Sequence, residues 1–293
     1  MSEIETTPEI FSRGYRAYEG PRAGIRSAMG AVFIEAVQRS LGLRRKFRFK
    51  VVPILTILIA YIPPLIFLGV AVIFPAELAG ELVDYPGFFG VISVSIFLLS
   101  AFVVPEVLGS DRRTGMFGIT MASPLNRWQY LASKFGAIIA VMSLVTLLPA
   151  VFLVIGYTLL DLGPVGFGGV VETLFNIFVS GGILSIFFAL FAMAASTLTD
   201  RPLFATAGII MTIIASGVLT DVVVETTDAS NAYSLLSLGT VPNDLLLRVW
   251  GENELARFLP GVSSLASFGA WLGYCVLFTA IVILGYRRIE VTK

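Results

Sequence analysis

A run of about twenty apolar residues is what a helix needs to cross a bilayer. This chain carries six such runs, at 51–74, 87–104, 135–160, 170–198, 203–224 and 265–286. In hydrocarbon a backbone has no water to bond, so only helices and closed barrels can span it. The alternating pattern of a membrane barrel is absent. The expectation is therefore an all-α, polytopic membrane protein with six transmembrane helices. Composition agrees: 56% of the 293 residues are hydrophobic and 14% are charged, against about 25% charged in soluble domains. The mean hydropathy is +0.88.

Charge distribution predicts the orientation. Of the twenty Lys and Arg residues, eighteen lie before the first run, after the last, or in the connections between runs two and three and between four and five. Only Arg248 and Arg257 fall on the other side, where Glu77, Glu81, Asp84, Asp228, Glu252 and Glu254 gather. Basic residues concentrate on the cytoplasmic side, so both termini are expected there. The first fifty residues are polar and basic, without the short apolar core and cleavage site of a signal peptide.

The organisation follows from these boundaries: a tail and interfacial helix over 1–50, then a six-helix transmembrane domain over 51–293. Ile25, Met29, Val32, Phe33, Ala36, Val37 and Leu41 recur at helical spacing, which predicts an amphipathic helix on the membrane surface. Arg44, Arg45, Lys46, Arg48 and Lys50 follow, placed to meet anionic membrane lipid. Pro53 and the pair Pro63 and Pro64 predict a bend or break in the first span. An ordinary kink and a gate at Pro63 and Pro64 both fit. The outer segment 225–264 contains a helix-like stretch, 243–259, whose Leu245, Val249, Leu255 and Leu259 are candidates to cap a pathway. Gly269 and Gly273, and the Gly pair at 181–182, predict close helix packing.

The segment 105–134 is charged and punctuated by glycine. Pro105 is expected to end or bend the second span. Glu106, Asp111, Arg112 and Arg113 would then lie on a short exposed helix, broken at Gly115 and Gly118. Ser123 and Pro124 resemble a helix cap with proline in the first turn, and open a returning helix with Arg127, Trp128, Tyr130 and Lys134. Trp128 and Tyr130 fit an interfacial belt.

The run "VPEVLGSDRRTGMFGITMASPLNRWQYLASKFGAI" resembles the corresponding region in permeases of type-2 class ABC exporters, through Asp111, Arg112, Arg113, Gly115, Ser123, Pro124, Arg127, Tyr130 and Lys134. The stretch "YRAYEGPRAG" at 15–24 is similar to the tail preceding the elbow helix of that family. The resemblance implies a transmembrane permease subunit that dimerises with a like or related chain. It would dock an ATP-binding cassette subunit through a coupling helix carrying Glu106, Asp111, Arg112, Arg113 and Gly115. It further implies a prokaryotic plasma (inner) membrane, with ATP and Mg held by the partner and no cofactor in this chain.

The residues agree with a motor outside the chain. No G-x-x-x-x-G-K-[ST] run occurs. There is no histidine and one cysteine, Cys275, so a zinc or haem centre is not expected, nor is an enzyme or nucleic-acid partner. Asp161, Glu172 and Asp221 lie near predicted span ends, not at mid-membrane where proton relays sit. The alternatives are an ion-coupled secondary transporter, which would carry inverted repeats, and a non-transporting membrane assembly protein.

Overall fold

The computed structural model describes residues 24–43, 47, 50–74, 84–227, 231–251 and 258–287. The stretch 15–23, the cations Arg44, Arg45, Lys46 and Arg48, and Leu255 lie outside them. Among the described residues ten α-helices run in chain order: α1 Ile25–Ser40, α2 Val51–Ile73, α3 Tyr85–Arg113, α4 Met116–Met121, α5 Arg127–Thr146, α6 Leu148–Leu159, α7 Gly166–Thr197, α8 Pro202–Thr227, α9 Thr240–Val249 and α10 Ser264–Arg287. A 3-10 turn, Asn231–Leu236, precedes α9. No strand occurs among the described residues.

Among the described residues six segments are long and apolar enough to cross a membrane: α2, α3, α5 with α6, α7, most of α8, and α10. The chain is accordingly a multi-pass membrane protein. The segments alternate in direction. Residues 24–43, 113–127, 198–201 and 287 therefore share one end of the bundle, and 160–165, 231–251 and 258–263 share the other.

Helix α7 is the central element. In its apolar stretch 72% of residues are buried within the chain, against 22% in α2, 17% in α10 and 11% in α8. It packs on α3, α5, α9 and α10. Phe187, Ala189 and Ala192 from α7, Leu99 from α3 and Met142 from α5 belong to one buried apolar core. The outer helices keep apolar side chains exposed, as Met211, Ile214, Val218 and Leu219 do on α8. A helix apolar on all sides belongs in lipid.

Several boundaries differ from the sequence expectations. The second span does not end at Pro105: α3 continues to Arg113, so Glu106–Arg113 is its last two turns and not a separate short helix. Pro105 has no N–H for the carbonyl four residues earlier. That carbonyl, on Ala101, accepts the Thr206 hydroxyl of α8 at 2.7 Å. A neighbouring helix thus re-satisfies the group the proline frees, as hydrocarbon demands. With 29 residues α3 is about 44 Å long, longer than the roughly 30 Å hydrocarbon core.

The third span is instead interrupted. Leu147 separates α5 from α6, where Pro149 cannot bond the Val145 carbonyl. Helix α2 runs unbroken through Pro63 and Pro64. Ser123 and Pro124 do not cap the returning helix. It starts at Arg127, capped by Asn126, whose side chain bonds the Gln129 backbone while the Gln129 side chain accepts from Asn126 N–H at 2.9 Å. This capping box satisfies two end donors at once, which Ser123, lying outside the turn, cannot. Gly269 and Gly273 face open space, whereas Gly181 packs tightly against Leu147.

Thr206→Val should lower stability by about 1–2 kcal/mol by leaving the Ala101 carbonyl unpaired. In a Pro105→Ala background the same change should cost clearly less, because residue 105 then supplies an N–H. A double-mutant cycle of thermal unfolding in detergent measures the difference, and purely additive losses would refute this account of Pro105.

Candidate functional site

The last two turns of α3 meet α1 and α5 at the first end of the bundle, and the meeting point is ionic. Asp111 is buried, 4% exposed. Its Oδ1 accepts from the Arg39 guanidinium of α1. Its Oδ2 accepts from the Tyr130 hydroxyl at 2.6 Å and pairs with Lys134 Nζ at 2.8 Å, both from α5. Lys134 is 1% exposed and also bonds Glu35 at 2.9 Å. Glu35 closes the circuit on Arg39. Two carboxylates and two cations sum to zero charge. A buried ion is tolerated when it is paired and its remaining donors and acceptors are used.

Local sequence explains how these groups meet. Glu35 and Arg39 are four apart and share one face of α1. That face also carries Ala36, which is buried, while Val32, Phe33 and Val37 pack against the core. Tyr130 and Lys134 are likewise four apart on α5. The Phe117 ring of α4 sits on Tyr130 at 5.4 Å and on Tyr286 at 5.7 Å, edge to face.

Arg112 and Arg127 extend the same corner to the ends of α7 and α10. The Arg112 guanidinium lies 4.6 Å from the Tyr286 ring centre and donates to the Thr197 carbonyl at 3.1 Å, with Asp200 at 3.7 Å. Arg127 donates to the carbonyls of Tyr286 and Arg287, at 3.4 and 3.2 Å. These are end carbonyls that a helix cannot satisfy itself, and a cation complements the negative end of the dipole. Gly109 lets the 199–201 turn close on α3: a Cβ there would stand 3.3 Å from the Pro202 ring.

The expected exposed helix is therefore corrected at two of its four charged positions. Asp111 is buried and Arg112 is nearly so, because other helices claim their side chains. Arg113 is 57% exposed and faces Glu106, itself partly buried, at 4.0 Å. Gly115 has φ +71, a conformation costly for residues with a Cβ, and turns the chain from α3 into α4. Trp128 is exposed, but Tyr130 is buried inside the ionic cluster and belongs to no surface belt. Pro124 is exposed in the α4–α5 loop. Pro63 and Pro64 lie in mid-α2 and are not part of this corner. A cleft of about 270 Å3 opens between α1 and α4, lined by Glu35, Met116, Thr120 and Lys134.

A second buried pair holds the opposite end. Asp244 of α9, fully buried, accepts from Arg248 at 2.6 Å, Ser267 at 2.8 Å and the Leu259 N–H at 3.0 Å. Arg248 also donates to the Val262 carbonyl at 2.8 Å. Trp250 donates to Ser180 of α7 at 3.0 Å and stacks on Tyr85. The expected helix over 243–259 stops at Val249, before Gly251 at φ +71. Leu245 and Leu259 are buried in the chain. The i, i+4 spacing of Glu35 with Arg39, of Tyr130 with Lys134 and of Asp244 with Arg248 is visible in the sequence, but nothing local pairs Glu35 or Arg39 with the 105–134 segment. Among the described residues no group of acidic, Cys or His side chains could hold a metal.

Asp111→Ala should cost about 3–5 kcal/mol, since Lys134 is left buried without its nearest anion. Adding Lys134→Met should recover part of that loss, a coupling detectable by denaturant unfolding in micelles. Independent, additive effects would show that the four charges do not act as one unit.

No protein-family model matches this chain, and no curated protein matches it.

Proposed function

We propose that this chain is the transmembrane permease subunit of an ATP-driven exporter, moved by a separate ATP-binding subunit. In this reading the corner built from α1, the end of α3, α4 and the start of α5 faces the cytoplasm and receives the partner. The observation that carries the reading is a division of labour there. Asp111, Arg112, Tyr130 and Lys134 turn inward and lock the corner, while Arg113, Met116 and Trp128 remain exposed on its outer side. A locked corner with a mixed charged and apolar outer face is suited to accept force from another protein. The cleft beside Met116 and Thr120 gives a partner side chain a recess.

The mechanical path follows from the contacts. Pushing on α4 or the end of α3 moves α1 and α5 through the Asp111 cluster. It moves the ends of α7 and α10 through Arg112 and Arg127. The more loosely held α2 and α8 then shift against this block. Asp111 and Arg112 thus transmit force, while Glu106, Arg113 and Gly115 remain the docking residues. Helix α1 is the interfacial element, packed on α5 with Phe33 beside Gly136. The chain contains no phosphate-binding loop of the Walker type, so the motor lies on another subunit. Two permease chains per complex and a prokaryotic plasma membrane complete the proposal.

The double change Arg113→Glu and Met116→Asp should abolish co-purification of an ATP-binding chain and ATP-dependent transport in proteoliposomes. The melting temperature of the isolated subunit should stay within about 2 °C, because both side chains are exposed. Undiminished recovery of the ATPase with that variant would remove the basis for docking here.

A further inference from the structure

A cavity of about 640 Å3 lies at the same end as the ionic corner but on the other side of α3, between the beginnings of α2 and α8. Its wall is divided. Arg39, Arg113, Arg201 and Glu106 contribute the charge, and Val52, Phe102, Leu203 and Phe204 the apolar part. Arg39 is already held by Glu35 and Asp111. Arg113 has Glu106 only at 4.0 Å. Arg201 lies over the Phe204 ring, 5.8 Å from its centre. Two helices also begin on this cavity, at Val51 and Pro202, and neither has an acidic residue in its first turn. Their positive ends add to the arginines.

We infer that this cavity binds the phosphate headgroup of an acidic bilayer lipid, through Arg113 and Arg201. The phosphate would accept from the two guanidiniums, a charge-assisted contact whose fork geometry suits phosphate oxygens. The acyl chains would leave along Phe102, Leu203 and Phe204. Leu203 is 81% exposed, so this wall opens sideways, off the bundle, and not inward. Basic pockets between membrane helices near a membrane surface are suited to such headgroups. A soluble phosphate would use the arginines but leave the apolar wall unfilled. A neutral-headed lipid would fill the wall but leave the arginines with no net negative partner.

The inference requires membrane-spanning helices but no ATPase, so its failure and that of the exporter reading are separable. Full-length chain, delipidated in detergent, is titrated with phosphatidylglycerol or phosphatidylcholine and followed by native mass spectrometry. Glycerol 3-phosphate serves as a soluble competitor. The expected result is selective retention of phosphatidylglycerol, unaffected by equimolar glycerol 3-phosphate. Arg113→Gln with Arg201→Gln should weaken it about thirty-fold, from about 1 kcal/mol per cation. Arg113→Lys with Arg201→Lys keeps the charges and should keep most of the preference, which controls for folding. Equal binding of both lipids, or a Gln variant with undiminished selectivity, overturns the inference. So does displacement by glycerol 3-phosphate. A Gln variant that changes the oligomeric state without changing lipid retention would assign the cavity to a second copy of this chain.

Discussion

Asp111 is the group on which one end of this molecule depends. A carboxylate removed from water is costly by itself, and here three side chains from two other helices compensate it: Arg39 from α1, with Tyr130 and Lys134 from α5. Glu35 balances the second cation. The ensemble is neutral and closely bonded, so none of its members can leave without stranding another. That mutual dependence is specific in a way apolar packing is not. Leucine faces can slide past one another in lipid, whereas a four-charge circuit has one register.

The polar links of the chain are graded along its length. Ion pairs occupy the two ends, around Asp111 and around Asp244. Between them, hydroxyls bridge helices: Ser95 to the Thr56 carbonyl, Thr146 to Ser185, and Thr206 to the Ala101 carbonyl. Such neutral bonds are modest in a membrane, but each satisfies a group that has no water. Buried over half or more of their apolar stretches, α3, α5 and α7 form the central block, and the Ser95 and Thr206 hydroxyls tie α2 and α8 to it. Helices α2, α8 and α10 pack on it through a smaller share of their surface. This asymmetry gives a proposed transport cycle its moving parts, and it leaves a cavity where α2 and α8 stand apart over α3.

Much of the architecture was legible before any coordinate. Hydrophobic length alone marks six spans, because the bilayer imposes a minimum on each, and all six recur within a few residues except where α3 overshoots at Arg113 and the third span starts early at Arg127. The first of these, and the separate expectation of a cap at Ser123, share one cause. Pro105 and the pair Ser123 and Pro124 carry strong local signals for helix breaks and caps. The first is overruled by a hydroxyl 101 residues away, on Thr206, and the second by a better reciprocal cap at Asn126 and Gln129. The site was half legible. Charges at Asp111, Arg112 and Arg113 mark the segment as important, but adjacent charges in a sequence look alike whether they face water or each other.

By itself, then, the sequence determined how many times the chain crosses the bilayer and which connections share an end, since those follow from apolar length and parity. Only the tertiary structure decided which charges are spent internally. Asp111 finds Arg39 across 72 residues and Lys134 finds Glu35 across 99. Pairing over such distances depends on which helices pack side by side, and no local preference of the chain encodes that.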